Sequence, residues 1–319
     1  MTMQIVQTAL ELGFIYSLVT LSLFISYSIL NICDLSTDGC YTLGCAVGAV
    51  VTIAGHPILA VFAGMAAGIC SGFVTAMLQT VFHVESILAG IIVNTGLYTV
   101  NLAVMGFSSN LSMFGSATIF DMVEGMGGGS GSKTVRTLIL LALIVLAVCI
   151  LLHLFLGTRL GLSIRATGDS PAMVRASSIN PSGMVVIGLC ISNSLTGLAG
   201  ALIGQYNLSC DINLGTGMVT VALASLVIGE MFFHKGSMPV RLLGAVVGSC
   251  AYRFVMSAAL RLNIPTEAFK LVSALIVAIA LMVPGIRQMI SLHRKKILQM
   301  RETRKERQEG ADDAGNKES

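Results

Sequence analysis

Residues 134–156 read TVRTLILLALIVLAVCILLHLFL, and this stretch decides the class of the fold. A helix that crosses a bilayer needs about 20 consecutive, mostly apolar residues. The stretch meets that length and contains a single charged side chain, Arg136. Comparable apolar runs lie along the rest of the chain, at roughly 3–30, 40–54, 58–82, 87–106, 182–206, 213–231, 240–260 and 266–284. The sequence therefore predicts an all-α, polytopic membrane protein with about eight to ten transmembrane helices, some of them short or broken.

The composition excludes several other classes of protein. Of the 319 residues, 55% are hydrophobic and 11% are charged, and the mean hydropathy is +0.85. Residues 1–132 contain no Lys or Arg, and nine of the nineteen basic residues follow Pro284. The remaining charges are too few to coat a soluble globule. A soluble enzyme, a disordered chain and a nucleic-acid-binding protein are therefore excluded, and the lipid bilayer is the expected surrounding.

Patterns for catalysis, metal binding and nucleotide binding are also missing from the sequence. The His residues show no H-x-x-x-H spacing and the Cys residues no C-x-x-C pair, so we expect no metal site. The cysteines lie mostly in apolar runs and are expected to be small buried hydrophobes. Residues 127–134, GGGSGSKT, nearly match a phosphate-binding loop, but Ser132 replaces the glycine that precedes the lysine. We expect no enzyme activity and no cofactor in this chain.

A polar interruption, NICDLSTDG at residues 31–39, separates a long first apolar run from a short second one. Polar backbone is not tolerated against lipid, so the break should face protein or a wet cavity. Unwound helices of this kind line the pathways of transporters. Asp34 and Asp38 are four residues apart and would repel each other on one helix face. They could instead cap the next helix, or face a wet vestibule and contact a substrate.

Neutral polar residues inside other apolar runs are further candidates for a pathway. Asn94 and Thr95 lie within one run, and Asn193 lies between two serines within another. Such residues are costly inside a membrane and are often functional. Hydrogen bonding between helices is one explanation, and lining a polar pathway is the other. The pathway candidates are therefore Asn94 and Asn193, together with Asp34 and Asp38.

Two further patterns concern packing and ion pairing. Glycines four residues apart allow close approach of helix backbones, and they occur at positions 44/48, 64/68/72, 200/204 and 244/248. Glu230 falls near the end of an apolar run, where the helix dipole disfavours a carboxylate unless a cation offsets it. We expect His234 or Lys235 to pair with it.

Basic residues indicate the orientation in the membrane. Segments rich in Lys and Arg face the cytoplasm, and here these are 157–181, 232–241 and 287–307. The loop 106–133 is then outside, and the C-terminus is cytoplasmic. The side of the N-terminus stays open, because no basic residue precedes position 133. We expect a transmembrane permease domain at 1–286 and a basic, then disordered, cytoplasmic tail at 287–319.

The segment GTRLGLSIRATGDSPAMVRASSINP at 157–181 is more elaborate than an orienting loop requires. Asp169 or Ser170 can cap a short helix with Pro171 in its first turn. A short helix set between two spans, rich in arginines and small residues, suits docking into a groove of a soluble partner. An ordinary positively charged loop is the alternative.

This segment resembles the cytoplasmic coupling loop of ABC-importer permeases in the branched-chain amino acid/ribose permease family. The stretch LNICDLSTDGCYTLG at 30–44 is similar to that family too, as are the runs at 192–206, 211–218 and 224–230. Together the matching stretches span residues 10 to about 285. The sequence resembles in particular a subgroup of uncharacterised permeases, some of which are linked to import of aromatic amino acids.

The resemblance implies a permease of the plasma (inner) membrane that passes a small solute, such as an amino acid, from an extracytoplasmic substrate-binding protein. It implies a second permease copy, as in a homodimer, and two ATP-hydrolysing ABC subunits that would bind the ATP. A helix over 165–180 would transmit their movement. The residues implied in this coupling are Gly161, Arg165, Gly168, Asp169, Pro171 and Arg175, with Gly161 and Gly168 as backbone pivots.

Two alternatives belong to other classes of protein. An ion-gradient-driven secondary transporter would carry ionisable residues deep in its spans, whereas the mid-span polar groups noted above are mostly neutral amides and hydroxyls. A membrane scaffold without transport activity is the other alternative, and the residues alone do not distinguish it.

Overall fold

The computed structural model describes residues 3–126, 133–233 and 236–260, together with 274, 275, 278 and 282. The loop 127–132, the tail 287–319 and most of the run 266–284 lie outside the described residues. The helices are α1 (Met3–Leu23), α2 (Thr37–Ile53), α3 (Pro57–Thr80), α4 (Ser86–Val104), α5 (Ile119–Met126), α6 (Lys133–Gly157), α7 (Arg159–Asp169), α8 (Pro171–Ala176), α9 (Pro181–Asn207), α10 (Met218–Phe233) and α11 (Met238–Leu260). Two short strands are β1 (Asn110–Ser112) and β2 (Ser209–Asp211).

Six helices within these ranges are long and apolar enough to cross a membrane. They are α3, α4, α6, α9, α11 and α1, which π-helical turns at Phe24–Ile29 extend. Helices α2 and α10 are apolar but shorter, at 17 and 16 residues. The prediction of an all-α, polytopic membrane protein with some short helices is therefore confirmed.

The first span breaks where the sequence predicts it. After the π-helical turns, Asn31 has a left-handed backbone with φ 54°, and residues 30–36 form no helix. Asparagine is among the few residues that adopt this conformation readily, because its short polar side chain bonds locally. The chain then enters α2 at Thr37.

Helix α9 is the centre of the bundle and is buried along most of its length. Glu11 near the start of α1 contacts Tyr206 near the end of α9. Ser22, further along α1, bonds to Ser192 at 2.9 Å, nearer the start of α9. The two helices are therefore antiparallel, and α1 runs toward the end at which α9 begins.

Helices α2, α3 and α9 meet along a seam of glycines. A Cβ atom added to Gly44 would collide with the carbonyl oxygen of Gly197. One added to Gly197 would collide with the carbonyl oxygen of Gly64, and one on Gly200 with that of Tyr41. Backbone touches backbone at these positions, so the close packing predicted from the glycine spacing is confirmed.

Helices α10 and α11 pack on each other and on α1. Glu230 of α10 forms an ion pair with Arg241 of α11 at 3.0 Å, and it also accepts a hydrogen bond of 2.6 Å from Ser28. An ion pair of Glu230 is present among the described residues, with Arg241, which the packing of the two helices brings close. Pairing with His234 or Lys235 stays a prediction. His234 and Lys235 lie outside the described residues.

The bundle has two distinct ends. Strands β1 and β2 pair antiparallel, with Asn110 opposite Asp211, and we call their side the sheet end. Helices α7 and α8 precede α9 and lie at the opposite side, which we call the short-helix end. The 27 residues of α9 separate the two ends by about 40 Å.

Candidate functional site

A polar pocket of about 250 Å³ lies between the first turn of α2, the middle of α4 and the segment that joins β2 to α10. Amide, hydroxyl and carboxylate groups make up most of its wall. The residues that line it are Asp38, Gly39, Thr42, Asn94, Thr95, Tyr98, Asn101, Ile212, Asn213 and Thr216. A concave polar site beside a broken helix is where a transported solute is expected to pass.

Asp34 shapes the break that leads into this pocket. Its Oδ1 atom accepts hydrogen bonds from the backbone N–H and the hydroxyl of Ser36, at 2.9 and 2.6 Å. Its Oδ2 atom accepts a 2.7 Å bond from the side-chain amide of Asn193, near the middle of α9. Asp34 is only 1% exposed and Asn193 is fully buried, so this pair fixes the chain against α9 and does not line the pocket.

Asp38 lies four residues further along and has a different setting. Its two carboxylate oxygens accept the backbone N–H groups of Gly217 and Val219, at 2.9 and 2.8 Å. These N–H groups are at the start of α10, where the helix dipole favours a negative charge. Asp38 therefore caps α10, which is far along the chain, and not the helix α2 that contains it.

The capping contact brings the start of α2 and the start of α10 together. Gly39 in the first turn of α2 is buried, and Gly215 packs so closely on Asp38 that an added Cβ would collide with the Asp38 carbonyl oxygen. Two short helices thus begin side by side within the bundle, which is the arrangement of discontinuous helices at transporter sites.

Helix α4 supplies the opposite wall through one face. Asn94, Tyr98 and Asn101 follow the four- and seven-residue spacing of a helix face, and all three line the pocket. The Asn101 amide donates a 3.1 Å bond to the Gly39 carbonyl. Its Oδ1 atom is buried and accepts no hydrogen bond from any described residue. A ligand or water that reaches this buried atom from the pocket would find an acceptor without a donor.

The segment between α6 and α9 folds as two short helices. Thr158 caps α7, since its hydroxyl accepts from the Gly161 N–H at 3.2 Å. Ser170, and not Asp169, caps α8 by accepting from the Met173 N–H at 3.4 Å. A single helix over 165–180 is therefore wrong: α7 ends at Asp169 and α8 covers Pro171–Ala176.

Helix α7 rests directly on the break in the first span. An added Cβ on Gly168 would collide with the carbonyl oxygen of Ile29. The Asn31 amide donates a 3.0 Å hydrogen bond to the Gly168 carbonyl. Gly161 also packs closely on the carbonyl of Phe155, at the end of α6. Both glycines lie within α7 with right-handed backbones, a placement that fits close packing, and the pivot role expected of them stays a prediction.

The sequence matches the family model described as branched-chain amino acid transport system / permease component over residues 5–281. The chain belongs to this family. The permease is 34% identical over 265 residues to the tyrosine transport system permease protein of Clostridioides difficile (strain R20291). The aligned stretch covers 82% of this chain and 85% of that protein. These matches confirm the resemblance that the sequence motifs gave.

Two further relatives are more distant. The permease is 31% identical over 283 residues to uncharacterized protein RP368 of Rickettsia prowazekii (strain Madrid E), covering 88% of this chain and 97% of that one. It is 27% identical over 263 residues to ribose import permease protein RbsC of Escherichia coli (strain K12), covering 80% and 78%. No significant match is found among solved structures.

The structure of the permease separates the predicted site residues into three places. Asp38 and Asn94 line the polar pocket, whereas Asp34 and Asn193 form the buried pair behind it. The residues expected to couple lie at the short-helix end, where Asp169, Pro171 and Arg175 are exposed, Arg165 and Gly168 are partly buried, and Gly161 is buried.

Sequence reasoning missed Asn101. It lies seven residues after Asn94 and three after Tyr98, so the helical spacing that relates those two residues would also have included it.

Proposed function

We propose that this permease is the membrane subunit of an ATP-binding-cassette importer that carries an amino acid across the plasma membrane. The observation that carries the proposal is the direct contact of α7 with the break in the first span, which is made by Gly168, Ile29 and Asn31. A docking unit that touches the break can move it, whereas a loop that only sets orientation needs no such contact.

The exposed side of α8 supports a docking role. Only Val174 of this helix is buried, and Met173 is 68% exposed. An apolar side chain presented among exposed residues such as Asp169 and Arg175 suits insertion into a groove on a soluble partner. The proposed partners are two ATP-hydrolysing subunits, which would bind the ATP, and a second copy of the permease.

The proposed coupling of the ATPase subunits to the polar pocket would pass through a series of contacts between described residues. Movement of α7 would shift Ile29 and Asn31, and the break continues from there to Asp34, which Asn193 holds. Asp38 follows in the first turn of α2 and carries the start of α10 with it. ATP-driven movement at the short-helix end would thus widen or close the polar pocket, which gives alternating access.

The polar pocket supports an amino acid as the solute. The free Oδ1 acceptor of Asn101 matches an α-ammonium donor, and Asn94 and Thr95 offer neutral polar contacts at the same wall. A tyrosine transport permease is among the relatives, which agrees with this substrate class. An extracytoplasmic binding protein would deliver the solute at the sheet end.

An affinity pull-down from the native membrane in mild detergent tests the proposal. The tagged wild-type permease should retain an ATPase subunit, and Met173→Glu should lose it, since the new charge would occupy an apolar groove. Asp169→Lys reverses an exposed charge at the same end and should also weaken retention. Arg165 is partly buried, so Arg165→Glu should weaken it too, but with some loss of stability.

The matched control is Phe114→Glu. Phe114 is 87% exposed and follows β1 at the sheet end, so the same kind of substitution should leave the ATPase attached. Recovery of the wild-type chain alone, together with solute uptake by vesicles that lack ATP, would overturn the proposal in favour of a gradient-driven transporter.

A further inference from the structure

A second cavity, of about 300 Å³, lies at the sheet end and shares no lining residue with the polar pocket. Helix α1, helix α5, the start of α6 and the end of α9 enclose it. The side chains that matter for its chemistry are Glu11, Thr118, Phe120, Asp121, Gln205 and Tyr206. We call it the acidic cavity.

Glu11 is an ionisable residue inside a membrane span and is only 4% exposed. Its Oε2 atom accepts a 2.8 Å hydrogen bond from the Tyr206 hydroxyl. Its Oε1 atom is buried and has no hydrogen-bond partner among the described residues. A carboxylate oxygen left without a donor in such a place is costly. Because Glu11 lines the cavity, a ligand that donates hydrogen bonds and reaches this buried atom could supply what is missing.

The wall of the cavity favours a positively charged ligand. Among the described residues that line it are the carboxylates of Glu11 and Asp121 and no Lys, Arg or His. Asp121 is engaged in interactions of its own, so the charge offered to a ligand is that of Glu11. The rings of Phe120 and Tyr206 meet edge to face, with centroids 6.0 Å apart. Aromatic faces attract organic cations, and a carboxylate beside them adds charge and a hydrogen-bond acceptor.

Hydrogen bonds hold the side chains and helices that form the acidic cavity in place. Asp121 accepts hydrogen bonds from the backbone and hydroxyl of Thr118, at 3.1 and 2.7 Å, which sets the start of α5. Gln205 accepts from the Ile119 N–H and donates to the Pro57 carbonyl, both at 3.0 Å. One side chain of α9 therefore ties α5 and α3 together, and Phe120 is held against Tyr206.

We propose that the acidic cavity binds a small organic ammonium ion, with the ammonium group on Glu11 Oε1 and its alkyl part against Phe120 and Tyr206. A metal ion fits less well, because no cluster of three or more His, Cys, Asp or Glu side chains occurs in the part of the chain that the structure describes. The site is independent of the proposed importer function, since it uses none of the residues of the polar pocket.

Thermal unfolding of the purified permease in detergent, with ethylammonium chloride as the probe, tests this site. Ethylammonium should raise the Tm of the wild type in a saturable way, at concentrations where equal sodium chloride does not. Glu11→Gln keeps the shape but removes the charge, and should weaken the apparent affinity at least about tenfold, the equivalent of 1.4 kcal/mol. Glu85→Gln removes an exposed carboxylate at the start of α4 and should leave the effect unchanged.

A second variant keeps the test decisive if Glu11→Gln does not fold. Phe120→Leu retains the carboxylate and removes the aromatic face, so the apparent affinity for ethylammonium should fall while sodium chloride still has no effect. Equal shifts with sodium chloride, or an unchanged ethylammonium shift in either variant, would overturn the proposal. Glu11→Gln could instead be more stable than the wild type, with no response to ethylammonium in the wild type or in the variant. That result would show that Glu11 is protonated and binds no cation.

Discussion

Asp34 and Asn193 are 159 positions apart in sequence, yet their contact sets the geometry of the break. Both side chains are buried, so neither can exchange its partner for bulk water. A charge-assisted hydrogen bond of this kind contributes roughly 1.5–3 kcal/mol, and loss of one partner leaves the other unsatisfied. The pair therefore acts as a latch between the break that precedes α2 and the middle of α9.

Exchange of the two residues tests this latch. Asn193→Asp should strongly lower the Tm, because two carboxylates would face each other in a buried place, at a cost of roughly 3–5 kcal/mol. Asp34→Asn should lower it less. The double variant Asp34→Asn with Asn193→Asp restores one acceptor and one donor, and should recover most of the lost stability. Additive losses in the double variant would show that the two side chains are not coupled.

Sequence reasoning reached some residues of the site and missed others for a definable reason. Asp34, Asp38 and Asn94 stand out because polar groups are rare within apolar runs. Their partners could not be read in the same way, since Asp38 caps a helix about 180 residues further on. Glu11 was overlooked because one carboxylate near the start of a long apolar run looks like its edge, and Tyr206 is 195 positions away.

At the scale of helices, apolar length and glycine spacing were sufficient to predict most spans. The break at 30–36 also follows from sequence, because a run of polar residues cannot remain helical against lipid. The division of 157–181 into α7 and α8 was harder to predict. Asp169 and Ser170 are both good caps, and only the geometry shows that Ser170 takes the role and ends the preceding helix.

The glycine seam gives a prediction at this scale. In Gly197→Ala the new methyl group would meet backbone atoms of α3, including Gly68 Cα at 3.2 Å. Backbone atoms cannot rotate away as side chains do, so we expect a loss of about 1–3 kcal/mol and a clearly lower Tm in detergent.

Gly183→Ala is the matched control in the same helix. Among the described residues, no atom other than those of its chain neighbours and the adjacent backbone of its own helix lies within 4 Å of a Cβ built at Gly183. Because alanine favours helix over glycine by about 1 kcal/mol, this variant should keep or slightly raise the Tm. Similar losses for both variants would argue against direct backbone contact at Gly197.

At the scale of the whole molecule, the structure indicates an orientation in the membrane for the start of the chain, which the sequence alone could not give. Arg165 and Arg175 lie at the short-helix end, and Arg241 lies beside Ser28 at the same end, since both contact Glu230. Basic residues prefer the cytoplasmic side. Because α1 runs from the sheet end to the short-helix end, the start of α1 should be extracytoplasmic, a question that the absence of Lys and Arg before residue 133 had left open.

Labelling with a membrane-impermeant maleimide checks this orientation in intact cells. In a variant without native cysteines, Phe114→Cys at the sheet end should react from outside. Ala172→Cys, an exposed position of α8, should react only after the membrane is opened. An epitope placed before Met3 should behave like Phe114→Cys. The reverse pattern would invert the topology and place α7 and α8 out of reach of any cytoplasmic ATPase.

The seam of α2, α3 and α9 has a consequence for how the permease can move. Glycine and alanine have no rotamers, so burial of this seam costs no side-chain conformational entropy, and no side chains are available to repack when helices slide. The three helices should therefore move as one stiff body. The freedom needed for a transport cycle would then fall to the contacts of the first span with α10 and α11, where longer side chains such as Arg241 and Phe24 meet and can exchange one arrangement for another.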